Sequence, residues 1–367
     1  MPDVERDTGG KPVLIFPGGM PRSLDYLRKC SSEGVAAIGA SSLDYDVAST
    51  QYPKWIQLPY VNHPEFDAAL AKAIRELGVG GIYSPNPVVW NHLRAVLDTL
   101  APGVRLVNDS PIDDALAGFR AARARARELL DHPLPVTVDR PGKPAVDEVE
   151  LAAMFRHADV IPGMCDREKS CALHEIARHC VAGDLVEIGS WWGKSAFLLA
   201  RLARLYDIGN LLCVDPWSNE HLVQDDATGI VDSGSAMVDA GEALAVFEMN
   251  LLPYSANHVN YLRLPSTDGA TYYRSRRCVT TPRFGSVAYE GRIALLHIDG
   301  NHAQAAVNAD VAAWSGLVSR GGWIVLDDYM WPFGDGPRRA GDAFLAERGR
   351  EIETAFTMGG ALFIRMA

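Results

Sequence analysis

The chain has 367 residues and a formal net charge of −11, long enough for two domains that each bury a core, and too acidic for a general affinity for nucleic acid or anionic membrane surfaces. Its six cysteines (Cys30, Cys165, Cys171, Cys180, Cys213, Cys278) form no C-x-x-C pair, and Cys165, Cys171 and Cys180 with His174 and His179 match no usual zinc spacing, so reduced thiols are expected. Met1–Lys11 is polar and no stretch approaches the roughly 20 apolar residues of a membrane span, so the expectation is a soluble, cytoplasmic homo-oligomer with a small-molecule partner, no nucleic acid and no membrane.

In chain order, Val13–Phe16 is a short apolar run followed by Pro17-Gly18-Gly19 and a helical pattern from Ser23 to Glu33, a strand, glycine turn and helix. Val35–Ile38, Trp55–Leu58, Gly81–Tyr83 and Arg105–Val107 read as further strands, with amphipathic helices around Glu65–Leu77 and Val89–Leu100. They make a small auxiliary α/β domain, 1–131, which resembles in topology alone the nucleotide-fold domain that precedes the catalytic region of ATP-grasp enzymes. Ala115–Leu130 is an Ala/Arg-rich helix whose Arg120, Arg123, Arg125 and Arg127 are expected on a solvated or interdomain face. Pro133, Pro135, Pro141 and Pro144, with few apolar residues between them, mark 132–147 as the linker.

A second domain, 148–367, then reads as helix Glu168–Cys180, strand Leu185–Ile188, glycine turn, helix Ser195–Leu205 and strand Leu211–Val214. The irregular stretch Trp217–Val238, with Glu220, Asp225, Asp226, Gly229 and Gly234, has the length of a lid or binding loop. Helix Gly241–Leu251, strand Val259–Leu264 and a helix near Thr267–Ser275 follow. Ile293–Ile298 and Trp323–Leu326 are apolar without alternation, the pattern of strands buried on both faces of a parallel sheet. Ile352–Met358 and Ala361–Arg365 close the chain as two strands about Gly359-Gly360.

The last two buried runs end in acids, Asp299-Gly300-Asn301-His302 and Asp327-Asp328. Ligands of open parallel sheets bind beyond the carboxyl ends of the strands, so neighbouring strands would bring Asp299, Asp327, Asp328 and His302 into one crevice. Three acids that close repel unless a cation sits between them, which points to a divalent metal beside a histidine base. His297, inside the strand, is expected as a packed core histidine.

Glu187-Ile188-Gly189-Ser190-Trp191-Trp192-Gly193-Lys194-Ser195 runs from a strand through a glycine turn into a helix. A phosphate-cradling P-loop needs four residues between its glycines, and only three separate Gly189 from Gly193, although Ile324–Asp328 has the look of a Walker-B strand. A turn for S-adenosylmethionine needs an acid at the end of the next strand for the ribose hydroxyls, and Asp215 stands there. G-x-G-x-x-G is absent, against a nicotinamide dehydrogenase. Glu187, Gly189, Ser190, Gly193, Ser195 and Asp215 are therefore the candidate cofactor residues.

Val160-Ile161-Pro162-Gly163-Met164, Gly183–Ser190, His297–His302 and Gly321–Tyr329 together resemble the macrocin and mycinamicin sugar O-methyltransferases and their cephalosporin-hydroxylase-like relatives, over about Asp159–Ala367. The resemblance implies a class I methyltransferase fold, a Rossmann-like seven-stranded sheet with a C-terminal antiparallel hairpin, preceded here by the smaller α/β domain. It implies Mg2+ on Asp299, Asp327 and Asp328, catalytic roles for His302 as base and for Asp299, and cofactor contacts from Asp299 and from Ser266 near the adenine. The family often has Glu-Asp where this chain has Asp327-Asp328, which leaves open which carboxylate carries more of the metal.

The expected reaction is Mg-dependent methyl transfer from S-adenosylmethionine to a hydroxyl of a sugar-containing or polyhydroxylated metabolite, with the metal lowering the hydroxyl's pKa and His302 taking the proton. Arg274, Arg276, Arg277 and Arg283 form a basic stretch, on solvated surface or facing an anionic group of the acceptor. The alternatives are a P-loop-like nucleoside triphosphatase and a catalytically silent binding or assembly protein.

Overall fold

A computed structural model describes residues 8–136, 138, 141–221 and 237–367. Asp225, Asp226, Gly229 and Gly234 of the expected lid lie outside the described residues, as do Thr137, Asp139 and Arg140 of the expected linker. Packing divides the chain into two units, Met1–Arg120 and Ala121–Ala367.

The first unit runs β1 (Val13–Ile15), α1 (Pro21–Ser32), β2 (Ala37–Ser41), β3 (Lys54–Gln57), α2 (Phe66–Leu77), β4 (Gly81–Tyr83), α3 (Pro87–Leu100), β5 (Arg105–Leu106). Its strands are all parallel in the order β3-β2-β1-β4-β5. Alternate residues serve opposite faces, Leu14, Ile38 and Ile82 meeting Leu70 and Leu93 on one, Val13 and Ile15 meeting Tyr26 and Leu27 on the other. Every element expected here forms, with ends displaced by a few residues. Helices α1 and α3 start earlier than the apolar pattern because proline at the first helical position extends each one, and in α3 the Asn86 side chain caps the N–H groups of Val88 and Val89.

Helix α4 (Pro111–Asp131) straddles the division, and Ala122, Ala126 and Leu129 of its second half join the core of the second unit. That unit continues with α5 (Glu148–Ala158), α6 (Arg167–Arg178), β6 (Asp184–Ile188), α7 (Lys194–Leu205), β7 (Leu211–Val214), α8 (Ala240–Ser255), β8 (Val259–Leu262) and α9 (Ser266–Ser275). It ends with β9 (Cys278–Thr281), β10 (Gly285–Ala288), β11 (Ile293–Ile298), α10 (Gln304–Trp314), β12 (Val318–Leu326), α11 (Gly336–Arg348), β13 (Ile352–Met358) and β14 (Ala361–Met366).

The main sheet has the order β13-β14-β12-β11-β6-β7-β8, parallel from β12 to β8, with β14 antiparallel to both of its neighbours. It is the seven-stranded sheet with a closing hairpin that the sequence led us to expect. One face, with Leu185, Cys213, Leu295 and Val325, packs under α5, α6, α7 and α8; the other, with Val186, Val214, Leu296 and Ile324, packs under α9, α10 and α11.

Helices α5 and α11 and the β9–β10 hairpin are additions to the sequence reading. The hairpin begins within the basic stretch and is fixed to β8 by the buried Asn260 amide, which donates to Val279 O (2.9 Å) and Gly285 O (2.8 Å). Within the stretch, Arg283 pairs with Glu248 (2.7 Å) and Arg274 donates to Ala313 O. Of the arginines of α4, Arg120 pairs with Asp113, Arg123 and Arg127 share Glu148, and Arg125 lies 3.7 Å over the Phe155 ring. The proline-rich segment packs Leu134, Val136 and Val146 against the core, and the Lys143 N–H donates to Arg178 O (2.8 Å). Among the described residues no helix is long and apolar enough to cross a membrane.

At the base of β6 the buried Asp184 carboxylate ties three segments together, accepting from Tyr273 OH (2.5 Å), Gly291 N (2.9 Å) and Glu290 N (3.1 Å). Asp184→Ala leaves those donors without partners and is expected to destabilise the protein by about 3 kcal/mol, read as a lower urea midpoint at unchanged slope.

Candidate active site

The register of the sheet builds the site. Leu326, Ile298, Ile188, Val214 and Leu262 stand side by side across β12, β11, β6, β7 and β8. The next residue of each strand continues the ladder, Asp327 N donating to Ile298 O (2.9 Å), Asp299 N to Ile188 O (2.8 Å), Gly189 N to Val214 O (2.9 Å) and Asp215 N to Leu262 O (3.1 Å). Asp327, Asp299, Gly189 and Asp215 thus form one row at the carboxyl edge, each about 4.8 Å from the next. The strand order reverses between β11 and β6, which makes this edge the crevice where such sheets bind ligands.

Gly189 has φ +78°, and a Cβ placed on it would lie 2.1 Å from Asp299 O, so the glycine turn and the Asp299 loop touch through their backbones. Gly193, at φ +88°, starts α7 against Leu251 and Phe247. Asp215 is buried, and its carboxylate holds the turn: Oδ2 accepts from Ser190 N (3.0 Å) and Trp191 N (3.1 Å), and Oδ1 from Trp217 N (2.7 Å). Glu187 points into the core, where Ser190 Oγ donates to it (2.6 Å) and His297 Nδ1 lies 3.1 Å away. Ser195 is buried in the first turn of α7. Lys194 directs its ammonium to Gly163 O (3.2 Å), away from the position a P-loop lysine would take.

The carboxylates form two overlapping groups that share Asp299: His297, Asp299 and Asp327, and Asp299, His302 and Asp328, with potential ligand atoms within 4.8 Å in each. Asp327 is ion-paired with Lys169 of α6, a residue that the sequence reading missed, and the two side chains are only 6% and 3% exposed. Burial alone would raise the Asp327 carboxyl, but Lys169 and His297 hold it well below the usual range. Burial likewise opposes the Lys169 charge, and Asp327 more than offsets it, so the ammonium titrates above its ordinary value. His297 is completely buried, as expected, and although burial pulls it down, the carboxylates of Asp327 and Glu187 lift it to about 9. Asp299 is pushed well above a normal carboxylate, first by burial and then by the Asp327 charge. On the outer side His302 Nε2 meets Asp328 Oδ2 at 2.7 Å, and its ring lies 4.4 Å from that of Trp331. Asn301 Oδ1 accepts from Ala303 N (2.8 Å) in the turn before the next helix, whose N-cap is Ala303, so Asp299 does not cap that helix.

Residues 186–329 match a family model described as a methyltransferase domain. The match covers less than half of the chain, and over it the chain is similar to a methyltransferase domain. Solved structures similar to the chain include the O-methyltransferase NovP (17% identity, covering 70% of this chain and 100% of that one, TM-score 0.42) and the calicheamicin methyltransferase CalS11 (14%, 71% and 94%, 0.40). The MycE methyltransferase of the mycinamycin pathway, in complex with Mg and SAH, is similar at 16% identity over 53% of this chain and 48% of that one, with a TM-score of 0.32. No curated protein matches the chain.

The carboxylates of Asp299, Asp327 and Asp328 beside His302 form an oxygen-rich set that fits a hard divalent cation. Lys169 had a legible signal, since it shares a helical stripe with Leu173 and Ile176, where a lysine is out of place without a buried anion. Ser266 starts α9 with its hydroxyl bonded to Trp314 Nε1 (3.0 Å) and beside the buried Asp310 carboxyl, which burial raises to about 6.

Two measurements follow from this geometry. Gly189→Ala combines left-handed strain with a backbone clash and is expected to cost about 2–4 kcal/mol and to weaken S-adenosylmethionine binding about tenfold or more, read by thermal unfolding and calorimetry. Asp310 has its native pKa above the unfolded value, so its contribution is fully favourable below pH about 4 and is lost as pH rises through about 6. Asp310→Asn should therefore stabilise the protein by about 1–3 kcal/mol at pH 8 and by nothing at pH 4; an equal gain at both would refute the assignment.

Proposed function

We propose that the second unit is a methyltransferase domain that transfers the methyl group of S-adenosylmethionine to a hydroxyl of a sugar-containing or polyhydroxylated metabolite, with Mg2+ held by the carboxylate cluster and His302 as base. The observation that carries this reading is the backbone contact of Gly189 with Asp299, which puts a cofactor turn and an acid–histidine loop against each other at one strand edge. S-adenosylmethionine supplies an electrophilic methyl when bound, and Mg2+ supplies a positive charge that lowers the pKa of a coordinated hydroxyl.

The chain's own residues supply the rest. Asp215 fixes the turn through the Ser190 and Trp191 N–H groups, and its remaining lone pairs are available to the ribose hydroxyls. Asp299, Asp327 and Asp328 would hold the metal, and Asp328, 2.7 Å from His302 Nε2, would orient the ring so that its Nδ1 takes the acceptor proton. Trp331, its ring tilted against that of His302, and the exposed Met330 and Phe333 offer an apolar surface beside the base for the C–H face of a glycoside. In this reading residues 148–367 perform the chemistry and 1–131 form an auxiliary domain.

Calorimetry of the full chain is expected to give saturable heat with S-adenosylmethionine and none with ATP; the reverse would establish the triphosphatase alternative. A screen of glycosylated and polyhydroxylated metabolites by mass gain of one methyl should find an acceptor, with turnover abolished by EDTA and restored by Mg2+. His302→Gln is expected to lower kcat by about 10²–10⁴ while leaving S-adenosylmethionine affinity unchanged. Turnover that persists in EDTA removes the metal from the mechanism.

A further inference from the structure

We propose that the segment joining β12 to α11 is the mount of the base, with Trp331 as positioning residue for the His302 ring and Gly336 as positioning residue for its backbone. The inference rests on His302 serving as base and adds what holds that base in place.

His302 stands on the turn after β11, yet its side chain is only 16% exposed. One stretch of chain, 328–336, meets it from three directions. Asp328 Oδ2 lies 2.7 Å from Nε2, the Trp331 ring lies 4.4 Å away and tilted by 31°, and a Cβ placed on Gly336 would stand 2.1 Å from His302 O and 2.8 Å from Gln304 N. Gly336 has no left-handed φ that would call for glycine, so it is the His302 backbone, filling the space, that excludes a side chain there. The three contacts have different effects. Asp328 fixes one ring atom and leaves the imidazole free to turn about it; a flat side chain against the ring removes that freedom, and the backbone contact sets where the side chain begins. A base nitrogen has to lie within hydrogen-bond reach of the proton it takes, and a displacement of about 1 Å can cost about 10²-fold in rate.

The mount is itself held. The Tyr329 hydroxyl donates to Asp342 of α11, and Gly341 lets the Tyr329 ring close onto that helix, since a Cβ there would lie 3.0 Å from the ring. Met330 N donates to Gly360 O (2.9 Å) in the turn between β13 and β14. Trp331 is backed by the Phe333 ring at 5.6 Å and by Gly334, where a Cβ would lie 2.9 Å from the indole. Helix α11, anchored by the buried Ala340 and Phe344, carries these contacts to the core.

The test is steady-state kinetics with the acceptor found by the methyl-gain screen, together with carbethoxylation of His302 by diethyl pyrocarbonate in the full chain without acceptor, read by mass spectrometry of its peptide. Binding of S-adenosylmethionine checks folding in each variant. Trp331→Ala is expected to lower kcat about 30-fold or more, and Trp331→Phe, which keeps a flat ring, to recover at least about tenfold of that loss. Gly336→Ala should lower kcat by about tenfold or more; if it fails the folding check, the Trp331 variants decide alone. Trp331→Ala should also speed His302 carbethoxylation about threefold or more, because the face that the indole covered opens to the reagent. A Trp331→Ala loss confined to KM, recovery by Trp331→Leu equal to that by Trp331→Phe, or an unchanged carbethoxylation rate would overturn the mount. Wild-type turnover in His302→Gln would sink the base reading itself, a failure told apart from this one by a carbethoxylation rate that still rises in Trp331→Ala.

Discussion

The site depends on one constraint, the alignment of Leu326, Ile298, Ile188, Val214 and Leu262 in a single row of the sheet. Because each of four strands is followed by a residue that still donates to its neighbour's last carbonyl, Asp327, Asp299, Gly189 and Asp215 cannot drift relative to one another. A slip of one residue on β11 would turn Asp299 to the opposite face and carry His297 out of reach of Glu187. The apolar burial on both faces of the sheet is therefore what sets the spacing of the polar groups at its edge.

That spacing creates an electrostatic problem, which the fold answers from within. Carboxylates one strand apart repel, and the low dielectric beneath the sheet magnifies the repulsion. The answer runs through the inner face: Lys169 pairs with Asp327, His297 stands between Asp327 and Glu187, and Glu187 takes the Ser190 hydroxyl of the glycine turn. Buried ion pairs of this kind are a weak source of stability, since desolvation consumes much of the attraction, but removing one partner strands the other. Their use here is to fix geometry, with Asp327 and Glu187 each held from two directions. Asp299, next to Asp327 in the row, is pushed well above a normal carboxylate by burial and by the Asp327 charge.

Much of this was legible in the chain. The unbroken apolar runs of β11 and β12, ending in Asp299 and Asp327, announced neighbouring parallel strands, and Gly189 announced the turn between β6 and α7. What one sequence could not show is direction. Glu187 read as a cofactor contact, yet it faces the core, and Asp215 also holds the turn through three backbone bonds, because the pleat and the turn, not residue type, decide where a carboxylate points. The β9–β10 hairpin was hidden by its arginines, since its pairing is anchored by Asn260, a residue on another strand. Lys169 lay more than a hundred residues from Asp327, and only the sheet brings them together.

The glycine turn and the acid–histidine loop are one mechanical unit. Gly189 admits no side chain because the Asp299 carbonyl occupies the space, Asp299 N is bonded to Ile188 O, and Asp215 pins the other side of the turn. A methyl donor seated on the turn would take its position from the same backbone that positions Asp299, and through Asp299 and Asp328 the position of His302. The proposed transfer would need donor, acceptor and base in line, and adjacent strands of one sheet, hydrogen-bonded at their ends, fix the part of that alignment that Gly189 and Asp299 carry.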